Sequence, residues 1–207
     1  APASWRMGLL ADDWGAQWIG SEKMEAQSVG GRKVNNVMPD PWFRKTFNLE
    51  TIPQDAVIYV ASVGYHELYV NGKKVGDAVL SPSVTDHKSR ARYMTYDITN
   101  YLKSGNNAIA LWLGTSWSIF PAYQREDKPA IPMALVQAEI ILPSGKELQI
   151  TSDESWKTHA SPNTLLGYWE AHHFEGECYD AALEKDNWNA IDFDDSDWEQ
   201  VKVYHPA

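Results

Sequence analysis

Several side chains have types and spacings that do chemistry. Glu170, Glu175, Glu177 and Asp180 fall close together. Two carboxyl groups about 6.5–9.5 Å apart, one kept protonated, can hydrolyse an acetal with inversion. A chain with 28 acidic residues in 207 gathers such a cluster by chance, so no catalytic residue is assigned here. His172 and His173, beside Glu175 and Glu177, are metal-ligand types. Neighbouring residues on a strand point to opposite faces, so the two imidazoles do not converge on one ion. A solvated or inter-domain loop is the expectation there, with no metal. The third set suits a hydroxyl-rich ligand. Trp117, Tyr123 and Trp169 offer flat faces for stacking, and Asp86, Arg90 and Arg125 offer hydrogen bonds. A sugar site needs both, because hydroxyls buried without partners are costly. The competing reading of Trp117 is a core anchor at the end of a strand.

Two further motifs carry less. Cys178 is the single cysteine, which excludes an internal disulfide and a cysteine-based zinc site. No base adjoins it in sequence, so it reads as a buried small hydrophobe. Gly30-Gly31 in QSVGGRKVNN lacks the strand–GxGxxG–helix context of a phosphate cradle and reads as a surface segment.

The composition narrows the partners. Hydrophobic residues make up 43% and charged residues 22%, as in a folded domain. The net charge of -10 argues against a nucleic-acid partner, which needs clustered Lys and Arg. No apolar run approaches about 18 residues, so no membrane span is expected. No signal peptide is read at Ala1, and the expectation is a chain that starts after one or is cut from a longer protein. Aromatic residues at 12%, with 10 tryptophans, in an acidic chain fit a neutral sugar as ligand.

The elements that must position these groups are strands. Residues 57–63 (VIYVASV) form a β-branched apolar run, followed by 66–70 (HELYV). Asn71-Gly72 then signals a tight hairpin, with 73–80 (KKVGDAVL) as its return. Residues 42–49, 93–98, 108–113 and 133–142 read as further strands, and Pro143-Ser144-Gly145 turns the last into 146–151. Asp97 is placed to cap the turn through Thr99, Asn100 and Tyr101. Trp14, Trp156, Trp188 and Trp198 each follow an acidic turn, an architectural pattern. Trp18, Trp42 and Trp112 lie in or beside strands, leaving Trp117 and Trp169 in long segments open to a ligand. The 1–20 stretch has a short apolar piece, 5–10, with no local partner, and 114–132 is a long loop. Many short strands and no capped helical stripe predict an all-β sandwich.

Taken together, these blocks resemble the N-terminal β-sandwich region of bacterial α-L-rhamnosidases. The resemblance is carried by MGLLADDWGAQWIG (7–20), FRKTFNL (43–49) and SVGYHELYVNGKKVGD (62–77). It continues through LSPSVTDHKSRARYMTYDIT (80–99), GNNAIALWLGTSW (105–117) and SDESWKTHASP (152–162). EGECYDAALEKDNW (175–188) and FDDSDWEQV (193–201) complete it, in the family's order across almost the whole chain. Two departures stand out. Gly114-Thr115-Ser116-Trp117 replaces a Gly-Asp/Asn-Gly-Trp-Tyr motif, and Ala182 stands where Tyr-Asp-Ala-Arg has its arginine.

The resemblance implies a jelly-roll-like antiparallel β-sandwich, galactose-binding-domain-like, over 18–207. Residues 1–17 would be a linker or the end of a preceding domain. The sandwich would flank a catalytic (α/α)₆ barrel that removes terminal L-rhamnose from glycans and is not in this chain. The chain would then be a non-catalytic accessory fragment, cut from a longer secreted or periplasmic protein. It would support the barrel and bind carbohydrate; the alternative is a stand-alone module for L-rhamnose or a related sugar. Some related sandwiches bind rhamnose through calcium, which takes about six to eight oxygen ligands. Asp86 is one carboxylate of that kind and has no acidic partner beside it, so no cofactor is expected.

Overall fold

In a computed structural model, residues 7–21, 38–86, 89–115, 131–165 and 176–205 are described. The strands are β1 (Trp18–Gly20), β2 (Met38–Leu49), β3 (Asp55–Val63), β4 (Tyr65–Val70), β5 (Lys73–Lys74), β6 (Tyr93–Asp97) and β7 (Gly105–Gly114). They continue as β8 (Met133–Ile141), β9 (Glu147–Thr151), β10 (Lys157–Leu165), β11 (Glu177–Tyr179), β12 (Glu199–Gln200) and β13 (Lys202–Tyr204). Short 3₁₀ turns occupy Ala11–Asp13, Thr99–Tyr101 and Ala181–Leu183. The expected all-β, jelly-roll-like sandwich is what the chain forms.

The first sheet runs β13-β1-β8-β3-β6, with β9 also on β8; the second runs β11-β10-β2-β7-β4-β5, with β12 also on β10. Every pairing is antiparallel. Period-two alternation sends Ala56, Ile58 and Val60 of β3 and Val136, Ala138 and Ile140 of β8 inward. Phe43, Leu68, Val70, Ile109 and Leu111 face them from the second sheet, and Trp156 is buried in the same core.

Both sheets are also covered on their outer faces, by the two ends of the chain. Trp14 packs edge-on to Tyr59 and Tyr93, with ring centroids 6.4 and 5.6 Å away. Gly15 N–H donates to Gln137 Oε1 (2.8 Å), and Gln137 Nε2 donates back to the Asp13 carbonyl (3.0 Å). Tyr59 and Gln137 are register partners, so these contacts seal one patch of sheet. This explains the unbroken apolar run of β3: Tyr59 is buried on the outer face as Ile58 is on the inner one.

On the opposite side, the segment after β11 lays Trp188 and Trp198 over Trp42 and Ala110, forming a second apolar cluster. Arg44, next along the outer face of β2, is buried beneath it. Its Nη1 pairs with Asp195, and Nη2 donates to the carbonyls of Ala190 (2.6 Å) and Ile191 (3.1 Å). Lys157 Nζ reaches the other oxygen of Asp195 (2.7 Å).

The turns follow their residues. Asn71 and Gly72 have φ of 53° and 81°, the pair of positive values that a type I′ hairpin requires. The returning strand is shorter than expected: it pairs only through Lys73 and Lys74. Val75 N–H still donates to the Leu68 carbonyl (2.8 Å), and Val75 buries its side chain in the core. Glycine at 76, with φ of 76°, then leads the chain away from the sheet. Asp97 Oδ1 accepts from Thr99 N–H (2.9 Å), as its position implied.

Candidate functional site

One end of the sandwich brings together the described residues on either side of the segments that carry the candidate chemistry. Gly20 pairs with Met133, Val63 with Met133, Tyr65 with Gly114, and Leu165 with both Met38 and Glu177. The described residues that flank 22–37, 116–130 and 166–175 therefore meet at this end. The chain crosses between sheets here at Gly64, whose φ is 103°. A Cβ at Gly64 would collide with the Gly114 carbonyl, so only glycine permits the crossing.

Asp40 sits at the base of this end. Its Oδ1 accepts from the backbone N–H (2.7 Å) and the hydroxyl (2.6 Å) of Thr115, and its Oδ2 accepts from Asn163 Nδ2 (2.6 Å). The carboxyl ties β2 to the ends of β7 and β10. Burial pushes its pKa up to about 6 against these three donors, with Glu177 adding a small rise. At 2% exposure, Asp40 is closed to a substrate.

A buried polar chain lies between the sheets nearby. His66 Nδ1 bonds the Ser62 hydroxyl (2.9 Å), and its Nε2 bonds the Tyr96 hydroxyl (3.0 Å). Ser62 also donates to the Gly64 carbonyl (2.9 Å), which makes His66 Nδ1 a donor to Ser62 Oγ and leaves Nε2 to accept from Tyr96. Burial lowers the His66 pKa to about 4, so the imidazole is neutral. The Ser62–His66 contact has the residue types of a nucleophile and base. Ser62 is 1% exposed and spends its proton on a carbonyl, so the arrangement is a bracket holding the crossover.

Of the expected sugar-contacting residues, Asp86 and Arg90 are brought together. Arg90 N–H and Ser89 N–H donate to the Asp86 carbonyl (3.0 and 2.9 Å), and Thr85 Oγ1 donates to the Arg90 carbonyl (2.9 Å). Both side chains are exposed. Trp117, Tyr123, Arg125 and Trp169 lie outside the described residues, as do Gly30-Gly31, Glu170, His172, His173 and Glu175. Among the described residues, no group of three or more His, Cys, Asp or Glu side chains is placed to hold a metal ion. Asp86 supplies one carboxylate, where calcium takes about six to eight oxygen ligands.

Cys178 corrects the sequence reading: it is exposed. Among the described strands β11 pairs only with β10, so it runs along the sheet edge with all three residues exposed. Asp40 and His66 were not singled out from sequence. His66 had a readable signal, since it shares the inward phase of Leu68 and Val70 in HELYV. Asp40 had none, because its partners come from β7 and β10.

Comparison with known proteins places this fold. A family model described as the α-L-rhamnosidase N-terminal domain matches residues 51–207. An α-L-rhamnosidase of Formosa agariphila is 32% identical over 228 residues, covering 99% of this chain and 23% of that protein. The solved α-L-rhamnosidase from Dictyoglumus thermophilum superimposes with a TM-score of 0.80 at 33% identity, covering 95% of this chain and 22% of its own. The Aspergillus terreus α-L-rhamnosidase gives 0.79 at 28% identity, again covering 95% and 22%. The chain thus spans less than a quarter of the length of these relatives. With well over half of its residues matched, the chain belongs to the α-L-rhamnosidase N-terminal domain family.

Proposed function

We propose that this chain is a non-catalytic accessory domain of an α-L-rhamnosidase. Its partner is a catalytic (α/α)₆ barrel on the same longer polypeptide, which removes terminal α-L-rhamnose from glycans. The observation that carries this reading is the state of Asp40. Among the described residues it is the carboxyl group whose pKa is raised toward that of a general acid, yet it is enclosed by Thr115 and Asn163 and serves to tie three strands. Glu177 and Asp180, on and beside the edge strand β11, are both exposed, and Asp180 Oδ1 is used to cap the 3₁₀ turn at Ala182 N–H (3.0 Å).

A domain built this way supports other parts of a protein. Residues 13–15 cover a patch of one outer face and the segment after β11 covers a patch of the other, so the chain's own ends are spent on holding the sandwich together. A secreted or periplasmic setting, where such glycans are met, goes with the proposal. The chain alone is expected to release no chromophore from a nitrophenyl α-L-rhamnoside above the uncatalysed rate; release would count against the reading.

A further inference from the structure

Far from the loop end, the outer face of the second sheet carries an open cleft of about 410 Å³. It lies between the β2–β7 ladder and the segment after Trp188. Thr46, Asn48, Asn106, Arg44, Phe193 and Asp195 line it. Asn48 and Asn106 are register partners, so their amides stand side by side. Asn48 Nδ2 donates to Asn106 Oδ1 (2.9 Å), which leaves one amide oxygen on Asn48 and one amide N–H₂ on Asn106 for a ligand. Thr46, two residues before Asn48, adds a hydroxyl on the same face. Phe193, half-buried, packs on Trp198 with ring centroids 5.7 Å apart and supplies an apolar wall. Arg44 closes the inner end: its guanidinium lies 5.8 Å from the Phe193 centroid, and its Nε is buried without a hydrogen-bond partner.

The chemistry of this lining selects a ligand class. An apolar molecule would strip water from the Asn48–Asn106 pair and leave it unsatisfied, at a cost of about 1–3 kcal/mol per group. An anion gains little, because Asp195 already balances Arg44 and the exposed Asp192 and Asp194 flank the cleft. A cation finds Asp195 occupied by both Arg44 and Lys157. What remains is a neutral molecule with adjacent hydroxyls, to be read by an acceptor and a donor side by side, and a C–H face for the Phe193 ring. We infer that this cleft is a binding subsite for a neutral pyranoside, separate from the loop end. The choice of a rhamnoside as its sugar rests on the proposed function above.

The test is a chemical-shift titration of the 207-residue chain with methyl α-L-rhamnoside, and in parallel with galacturonate. The expected result is saturable shifts at Asn48, Asn106 and residues 191–193 with the rhamnoside and none with galacturonate. Asn48→Ala and Asn106→Ala, both at exposed positions, are expected to weaken binding about tenfold with Tm unchanged. Shifts confined to residues 83–92 that survive both substitutions would overturn the assignment. So would stronger binding of galacturonate than of the rhamnoside, or no shift at the cleft at about 50 mM sugar. Each of these leaves the accessory-domain reading standing, since that reading is decided by rhamnoside turnover.

Discussion

Trp42 of β2 lies flat on Trp188, with ring centroids 4.5 Å apart and planes 11° from parallel. Trp198 continues the near-parallel arrangement at 6.1 Å and 10°, and Trp112 meets Trp42 edge-on at 5.9 Å. The C-terminal segment has little regular structure, so this stack is what fixes it to the sheet. Trp188→Ala removes the ring facing Trp42 and is expected to cost about 3–5 kcal/mol. Urea unfolding followed by far-UV signal checks the loss. Near-UV dichroism should show the coupled-indole bands weakened.

The ion pair beneath the stack is the second anchor. Arg44 is 1% exposed, and Asp195 is its only carboxylate partner among the described residues. Asp195→Ala leaves a buried guanidinium uncompensated and should destabilise by about 3–5 kcal/mol. Lys157 binds the same carboxylate from a side chain 33% exposed. Lys157→Ala should therefore cost about 1 kcal/mol or less. Equal losses in the two variants, measured by denaturant titration, would refute this ranking.

Two buried groups give opposite pH dependences. Asp40 has a folded pKa of about 6 against 3.8, so the native state holds its proton more tightly. Its contribution raises stability as pH falls from about 6 toward 3.8. His66 has a folded pKa of about 4 against 6.5, so the unfolded state takes up the proton first. Its contribution lowers stability as pH falls from 6.5 toward 4. The two largely cancel in the wild type, each being worth about 3 kcal/mol. Asp40→Asn keeps an acceptor for Thr115 and should expose the histidine slope. His66→Gln should expose the aspartate slope, with the opposite sign. Unfolding midpoints at pH 4.5 and 7 for both variants decide this.

The exposed thiol makes a simpler prediction. Cys178 should react with an aromatic disulfide reagent in the native chain, without denaturant, in the amount of one thiol per chain. Reaction only after adding urea would show that the edge strand is covered.

Much of the framework was legible in the sequence because it is locally encoded. Asn71-Gly72 set its hairpin, Pro143-Ser144-Gly145 set another, and the acidic turns before Trp156, Trp188 and Trp198 marked architectural anchors. The family blocks followed the same strands. What escaped was encoded between distant strands. Asp40 gains its role from Thr115 and Asn163, and the Asn48–Asn106 pair exists only through the β2–β7 register. Cys178 was misread because a small apolar type says nothing about a strand's place at a sheet edge. The 73–80 run looked like a strand, but Gly76 turned it off the sheet.

The central claim is that catalysis resides outside this chain. The direct measurement is turnover of a chromogenic α-L-rhamnoside by the 207-residue chain, beside a longer polypeptide that carries it. The account predicts activity in the longer protein, none in the chain, and no loss of the longer protein's kcat on changing Glu177 or Asp180 to alanine. Turnover by the chain alone that disappears with Glu177→Ala or Asp180→Ala would contradict it.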